Sequence, residues 1–411
     1  MIGAMREFQS VASESHLLTA ANRYADVADK KLLLAMLSLM SIGLIMVASA
    51  SMSYAEHSYG NAFYFVQRHL IYLLLASLSF VAAYMAPTHF WYRHGISLLF
   101  GVVVLLVLVL MPGIGREVNG SRRWINLGLF SLQVSELAKL AIVIFMAGYL
   151  QRQQHLLREK WQALALPLGI AGLLAGLLII QPDFGSVVVL IGTVMGMLFI
   201  AGVKLWQFLL LGAIGGCGLA SLAVLSPYRM QRLVTFLDPW ADQYDSGYQL
   251  TQSLIAFGRG EWFGVGLGKS VQKMFYLPEA HTDFVFAIFA EEFGLLGVLV
   301  VVGLFVLLVA RMIRLSRMAI RQQDWFTGYC CFGFSILIAG QAFINIGVTS
   351  GLLPTKGLTL PFISYGGSSL LVCSAMMGIV FRISGELESN AISRARSTTS
   401  AIPVRNGEAN G

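Results

Sequence analysis

Glu136 and Lys139 stand three residues apart in a stretch that is otherwise nearly all apolar. That spacing puts both on one face of a helix, where they can pair. Asp183 follows Pro182 in Gln181-Pro182-Asp183-Phe184-Gly185, and Asp283 closes Pro278-Glu279-Ala280-His281-Thr282-Asp283 at the start of a long apolar run. Glu291, Glu292, Gln341 and Asn345 sit within later apolar runs. Ionisable groups inside or at the edge of such runs are costly and point to function by default. A carboxylate suits proton transfer at a hydroxyl, and Arg or Lys suits phosphate oxygens. Arg122, Arg123, Lys139, Lys269, Lys273 and Lys356 would together meet a polyanionic ligand such as a lipid pyrophosphate. Each residue also has a structural reading. Glu136–Lys139 suits a structural ion pair that helps hold helices together, Glu291 and Glu292 suit caps or partners of a neighbouring helix, and Asp183 and Asp283 suit helix N-caps.

These residues are set in a chain that is 57% apolar and 12% charged, with mean hydropathy +0.73. Soluble domains carry about 25% charged residues, so a soluble globular protein, a disordered chain and a disulfide scaffold are all excluded. The sequence predicts an all-α polytopic membrane protein of about ten transmembrane helices. The apolar runs fall at 32–53, 67–86, 94–112, 131–150, 163–181, 185–203, 205–225, 284–310, 326–347 and 366–384. Basic clusters such as Arg152, Arg158 and Lys160, and Arg311, Arg314, Arg317 and Arg321, place both termini in the cytoplasm. The net charge of +7 belongs to that orientation and not to nucleic acid. The predicted organisation is a tail at 1–30, a membrane domain at 31–385 with one long outer loop at about 226–283 between spans seven and eight, and a flexible tail at 386–411. Glu136, Lys139, Asp183, Asp283, Glu291, Glu292, Gln341 and Asn345 then share the outward half of the membrane, and a polar cavity open to the outside is the economical reading.

Cys217, Cys330, Cys331 and Cys373 lie in apolar runs and read as buried free thiols. Trp124–Phe130 reads as an interfacial stretch, and Tyr248–Phe257 as a short interfacial helix ended by Gly258-Arg259-Gly260. The glycines at 258–268 lack the strand-to-helix context of a dinucleotide loop. Ser364-Tyr365-Gly366-Gly367-Ser368-Ser369 reads as a tight loop entering the last span, without the partners of a serine hydrolase.

Five motifs occur in order: Asn119-Gly120-Ser121-Arg122-Arg123-Trp124-Ile125, Gln133-x-Ser135-Glu136-Leu137-x-Lys139, Gln181–Gly185, Pro278–Phe284 and Ile363–Ser368. Together they resemble the shape, elongation, division and sporulation (SEDS) family, and the forms Pro278–Phe284 and Lys356-Gly357-Leu358-Thr359-Leu360-Pro361 resemble its cell-division branch. One departure is Val134, where the family usually has proline. The resemblance implies a peptidoglycan glycosyltransferase that polymerises lipid II at the outer leaflet during septal wall synthesis, in the cytoplasmic (inner) membrane at the division septum. It implies a class B penicillin-binding transpeptidase as partner, with other divisome membrane proteins. Asp283 matches the aspartate the family needs for polymerisation, in the role of general base. Arg123, Glu136, Lys139, Asp183, Lys273, Glu279, His281 and Lys356 are the candidate substrate-binding residues, and Mg²⁺ or Mn²⁺ is a candidate aid to the leaving pyrophosphate. Two rivals remain at this level, a lipid II flippase and a non-catalytic divisome scaffold. A flippase needs a polar path through both leaflets, whereas the inner halves of these spans are almost purely apolar.

Overall fold

The computed structural model of the chain describes residues 2–118, 121–126, 128, 131–355 and 357–400. Lys356, Asn119 and Gly120 of the motifs, and Leu127, Leu129 and Phe130 of the interfacial stretch, lie outside the described residues. The helices in order are α1 (Ile2–Tyr59), α2 (Tyr64–Met85), α3 (Thr88–Leu110), α4 (Val134–Arg152), α5 (Gln154–Glu159), α6 (Gln162–Ile180), α7 (Phe184–Ile200), α8 (Leu205–Val224), α9 (Pro227–Leu237), α10 (Tyr248–Gly260), α11 (Val285–Arg321), α12 (Trp325–Thr349) and α13 (Gly367–Ser400). Helices occupy all ten predicted apolar runs. Among the described residues, eight are long and apolar enough to cross a membrane; α7 and Leu205–Gly218 of α8 are shorter apolar helices. The chain is a multi-pass helical membrane protein.

Burial explains why α4 lacks an amphipathic pattern. It is buried from Val134 to Leu150 apart from Leu137, because α3, α6, α7, α12 and α13 all pack on it. A helix enclosed by helices reads as apolar all round, so the polar residues of its buried first two turns, Ser135, Glu136 and Lys139, are exceptions in need of partners. By contrast α2, α3 and α8 turn broad apolar faces outward, among them Leu74, Phe100, Leu209 and Ile214, as helices bathed in lipid do. Cys217 belongs to that outward surface of α8. It is exposed, unlike the buried Cys330, Cys331 and Cys373, which corrects the expectation that all four thiols are buried.

Three features depart from the sequence reading. A three-stranded antiparallel sheet, β1 (Gly115–Val118), β2 (Ser121–Asn126) and β3 (Ser131–Gln133), precedes α4, so that helix starts at Val134 instead of 131. Val134 is the first residue of α4, a position that accepts proline, and the helix begins there without it. The long loop holds α9, which was not anticipated, and α10, which was. Finally α13 continues to Ser400, past the expected start of a flexible tail at 386. Arg382 Nε pairs with Glu386 Oε1 at 2.6 Å one turn on, and Glu386 also accepts from the Thr88 amide, so the helix is tied to the start of α3 at residue 386.

Candidate active site

β2, β3, the α6–α7 turn, α9, the turn before α11 and the α12–α13 connection gather at one end of the bundle around a cavity of about 1300 Å³. Arg123, Glu136, Asp183, Glu279 and Asp283 all line it, with Arg232 of α9 and an aromatic wall of Tyr72, Trp124 and Tyr365. Five of the candidates spread over 160 residues of chain thus meet in one space.

Asp283 sits on an irregular turn. The Thr282 and Phe284 amides both donate to Glu279 O, at 3.1 and 3.2 Å, and Tyr365 N donates to His281 O at 3.0 Å. The N-cap of α11 is Phe284 and makes no side-chain cap, so the Asp283 carboxylate is free of the capping role it could have filled and faces the cavity. Burial pushes its pKa up to about 7; the Glu279 carboxylate adds to this and Asp183 adds less, while the Arg123 and Arg232 guanidiniums oppose them. A carboxylate poised near neutrality matches what a general base needs.

Asp183 keeps its structural reading and also borders the cavity. It is 2% exposed and caps α7, accepting from Ser186 N at 3.3 Å. Arg123 Nε and Nη2 donate to the carbonyls of Gln181 and Pro182, at 2.8 and 2.6 Å. The guanidinium is thereby fixed over the turn that carries Asp183. Arg122 pairs instead with Glu117 across the β1–β2 hairpin at 3.0 Å, on the exposed side.

Glu136 and Lys139 make the expected pair, 2.7 Å from Oε1 to Nζ, and Lys139 also donates to Gln341 Oε1 at 3.0 Å. Glu136 lines the cavity while Lys139 is fully buried behind it. Neither is among the groups that set the Asp283 pKa.

Lys273 and His281 are not brought to the cavity. Lys273 pairs with Glu292 at 2.8 Å and donates to Ser49 at 2.9 Å, tying the long loop to α1 and α11. Glu291 accepts from the Val271 and Gln272 amides at 3.1 and 3.3 Å and pairs with Arg259 at 3.4 Å. Both glutamates therefore hold the loop down, which was their structural reading. Gly294 makes that docking possible. Its φ of 64° breaks α11 where a β-carbon would lie 2.4 Å from Gly264 N, a space only glycine leaves open. The His281 ring packs against Phe65, Tyr54 and Tyr365, centroids 4.5, 5.7 and 5.7 Å away, and burial lowers its pKa.

Arg232 was not anticipated. It lines the cavity and donates to Thr355 O at 3.2 Å. The spacing of Met230, Leu233, Val234 and Leu237 marks a helix, but periodicity carries no signal that Arg232 faces the cavity; its place there comes from how α9 packs. Among the described residues no group of three or more His, Cys, Asp or Glu is arranged to hold a metal ion. The donor set does not fit a divalent ion held by protein alone.

A polytopic helical protein whose buried charges converge on one cavity at one end of the bundle is a membrane enzyme in outline. The chain belongs to the FtsW/RodA/SpoVE family of cell cycle proteins, whose model matches residues 30–389, and this is the SEDS family that the five motifs resemble. It is 50% identical over 349 residues to a probable peptidoglycan glycosyltransferase FtsW of Saccharophagus degradans, covering 85% of this chain and 90% of that one. It is 51% identical over 361 residues to the protein of the same name from Coxiella burnetii, covering 88% and 97%. Among solved structures it is similar to a chain of a peptidoglycan synthase complex that coordinates polymerization and crosslinking (TM-score 0.70, 30% identity, 87% of this chain and 97% of that one). It is also similar to the rod shape determining protein RodA of Thermus thermophilus (TM-score 0.63, 28% identity, 86% and 96%).

Proposed function

We propose that this chain is a peptidoglycan glycosyltransferase of the cell-division branch, polymerising lipid II at the outer leaflet of the cytoplasmic membrane at the septum. The ten-helix plan then has both termini in the cytoplasm and the cavity facing outward. One observation carries the reading: a carboxylate poised near neutrality, Asp283, shares a cavity with two fixed guanidiniums, Arg123 and Arg232. The names of relatives about 50% identical over most of their length support the reaction class.

The Asp283 carboxylate takes the proton of the acceptor GlcNAc 4-hydroxyl. That oxygen attacks the anomeric carbon of the donor MurNAc, the carbon–oxygen bond to pyrophosphate breaks, and undecaprenyl pyrophosphate leaves with the electron pair. One displacement converts the α-linked donor into a β-1,4 bond, so no carboxylate nucleophile is needed. Charge developing on the pyrophosphate falls to Arg123 and Arg232, whose fork geometry suits phosphate oxygens. A class B penicillin-binding transpeptidase is the partner that crosslinks the product, alongside other divisome membrane proteins.

The test is polymerisation of labelled lipid II by the purified full-length protein with its transpeptidase. Lipid II crossing proteoliposome membranes without any polymer product would favour a flippase instead. Arg232→Ala is expected to lower kcat by roughly 10²-fold, the scale of losing one charge-stabilising donor, and Arg232→Lys to recover part of it. Wild-type turnover in a folded Arg232→Ala protein would remove that residue from the mechanism.

A further inference from the structure

The turn carrying Asp283 has an anchor that does not touch the cavity. Asn345 of α12 is 2% exposed and is not among the cavity-lining residues. Its Nδ2 donates to two backbone carbonyls, Asp283 O at 2.9 Å and Leu358 O at 2.5 Å. Only the amide nitrogen can serve two carbonyls, so the chemistry fixes its orientation. One turn earlier on the same helix, Gln341 is held in the same way. Lys139 can only donate, so the Gln341 oxygen faces it, and Nε2 is left to donate to Thr359 O at 3.1 Å. The two amides therefore hold successive carbonyls of the segment Gly357–Leu360 along the flank of α12. That segment in turn touches the base: a β-carbon on Gly357 would lie 2.9 Å from Asp283 Oδ2. The carboxylate thus rests against a strap of backbone, and one buried amide joins the strap to the turn.

We propose that Asn345 is a positioning residue for the reaction, one that aims the Asp283 carboxylate by clamping its backbone to the strap that the carboxylate rests against. The inference depends on the reading of Asp283 as the base. The turn has other anchors, at Glu279 O and His281 O, so losing Asn345 leaves the segment in place and frees its last residue. Misplacement of a catalytic group by about 1 Å costs on the order of 10²-fold in rate. It also changes the distances from the carboxylate to the charged groups around it, which are Glu279 on its own turn, Asp183 before α7, Arg123 on β2 and Arg232 on α9.

The experiment compares wild type, Asn345→Leu, Gly357→Ala and Asp283→Asn as full-length proteins with the transpeptidase, polymerising labelled lipid II over about pH 5 to 9. Asn345→Leu keeps the side-chain volume and removes both donations. It is expected to lower kcat about 10- to 100-fold, with KM within about threefold and the pH midpoint of kcat moved by about half a unit or more. A smaller folded fraction would lower kcat but would not move the midpoint. Gly357→Ala pushes on the carboxylate from the strap and is expected to move the midpoint without any change in α12; Asn345→Ser, which is too short to donate to both carbonyls, carries the test of the clamp if Asn345→Leu fails to fold. An inactive Asp283→Asn with a wild-type midpoint in the folded variants overturns the clamp and leaves the base in place. An active Asp283→Asn overturns both.

Discussion

Asp283→Asn is expected to reduce lipid II polymerisation by roughly 10²- to 10⁴-fold, the usual contribution of a positioned base, in a protein at least as stable as wild type. The two halves of that result come from the same cause. Burial and the Glu279 carboxylate hold the Asp283 pKa near 7, well above its ordinary 3.8. The folded state therefore keeps a proton that the unfolded chain gives up, and stability falls as pH rises from about 4 to about 7. Above that window the wild-type protein carries an ionised carboxylate that its surroundings disfavour, and asparagine, which has no charge, is relieved of it. A thermal melt at pH 8 should place Asp283→Asn level with or above wild type. Wild-type kcat should rise with pH through a midpoint near 7 and then level off, because only the ionised carboxylate accepts the proton. A variant that lost activity and also melted early would show that Asp283 serves the fold.

The sequence made the charged part of this site legible for a physical reason. In a chain with so few ions, Glu136, Asp183 and Asp283 each needed an explanation, and apolar surroundings left few places for them. Position within a loop is a different matter. Lys273 and Glu279 are six residues apart and equally plausible as ligands, yet Lys273 turns toward Glu292 and Ser49 while Glu279 turns toward the cavity. Nothing in spacing separates the two, because the partner of Lys273 lies on α11 and α1, far along the chain. Strands β1 to β3 escaped because they are three to six residues long, too short for alternation to stand out beside spans of about twenty. Their consequence is large, since β2 fixes Arg123 over the Asp183 turn. Asn345 and Gln341 were visible as polar residues in an apolar helix. Their use, holding backbone carbonyls of a strap, depends on a contact between segments that no local pattern encodes.

Lys139→Met is expected to be strongly destabilising. Glu136 and Lys139 are both almost wholly buried, and Lys139 is the partner that Glu136 Oε1 has at 2.7 Å, while Oε2 already lacks one. Removing the lysine leaves a buried carboxylate uncompensated and also frees the Gln341 oxygen. Breaking a buried pair from one side costs about 3–5 kcal/mol, whereas replacing both members with neutral groups of similar volume is often neutral. The double variant Glu136→Gln/Lys139→Met should therefore regain most of the melting temperature that Lys139→Met loses. Polymerisation separates the two uses of the pair. Glu136 faces the cavity and Lys139 orients Gln341, which holds the Thr359 carbonyl of the strap beside Asp283. A methionine cannot hold the Gln341 oxygen, so the double variant is expected to melt near wild type and still polymerise lipid II at least about tenfold more slowly, as misaligned catalytic groups do. Full recovery of both stability and turnover would reduce the pair to a structural ion pair and cut the link between α4 and the strap.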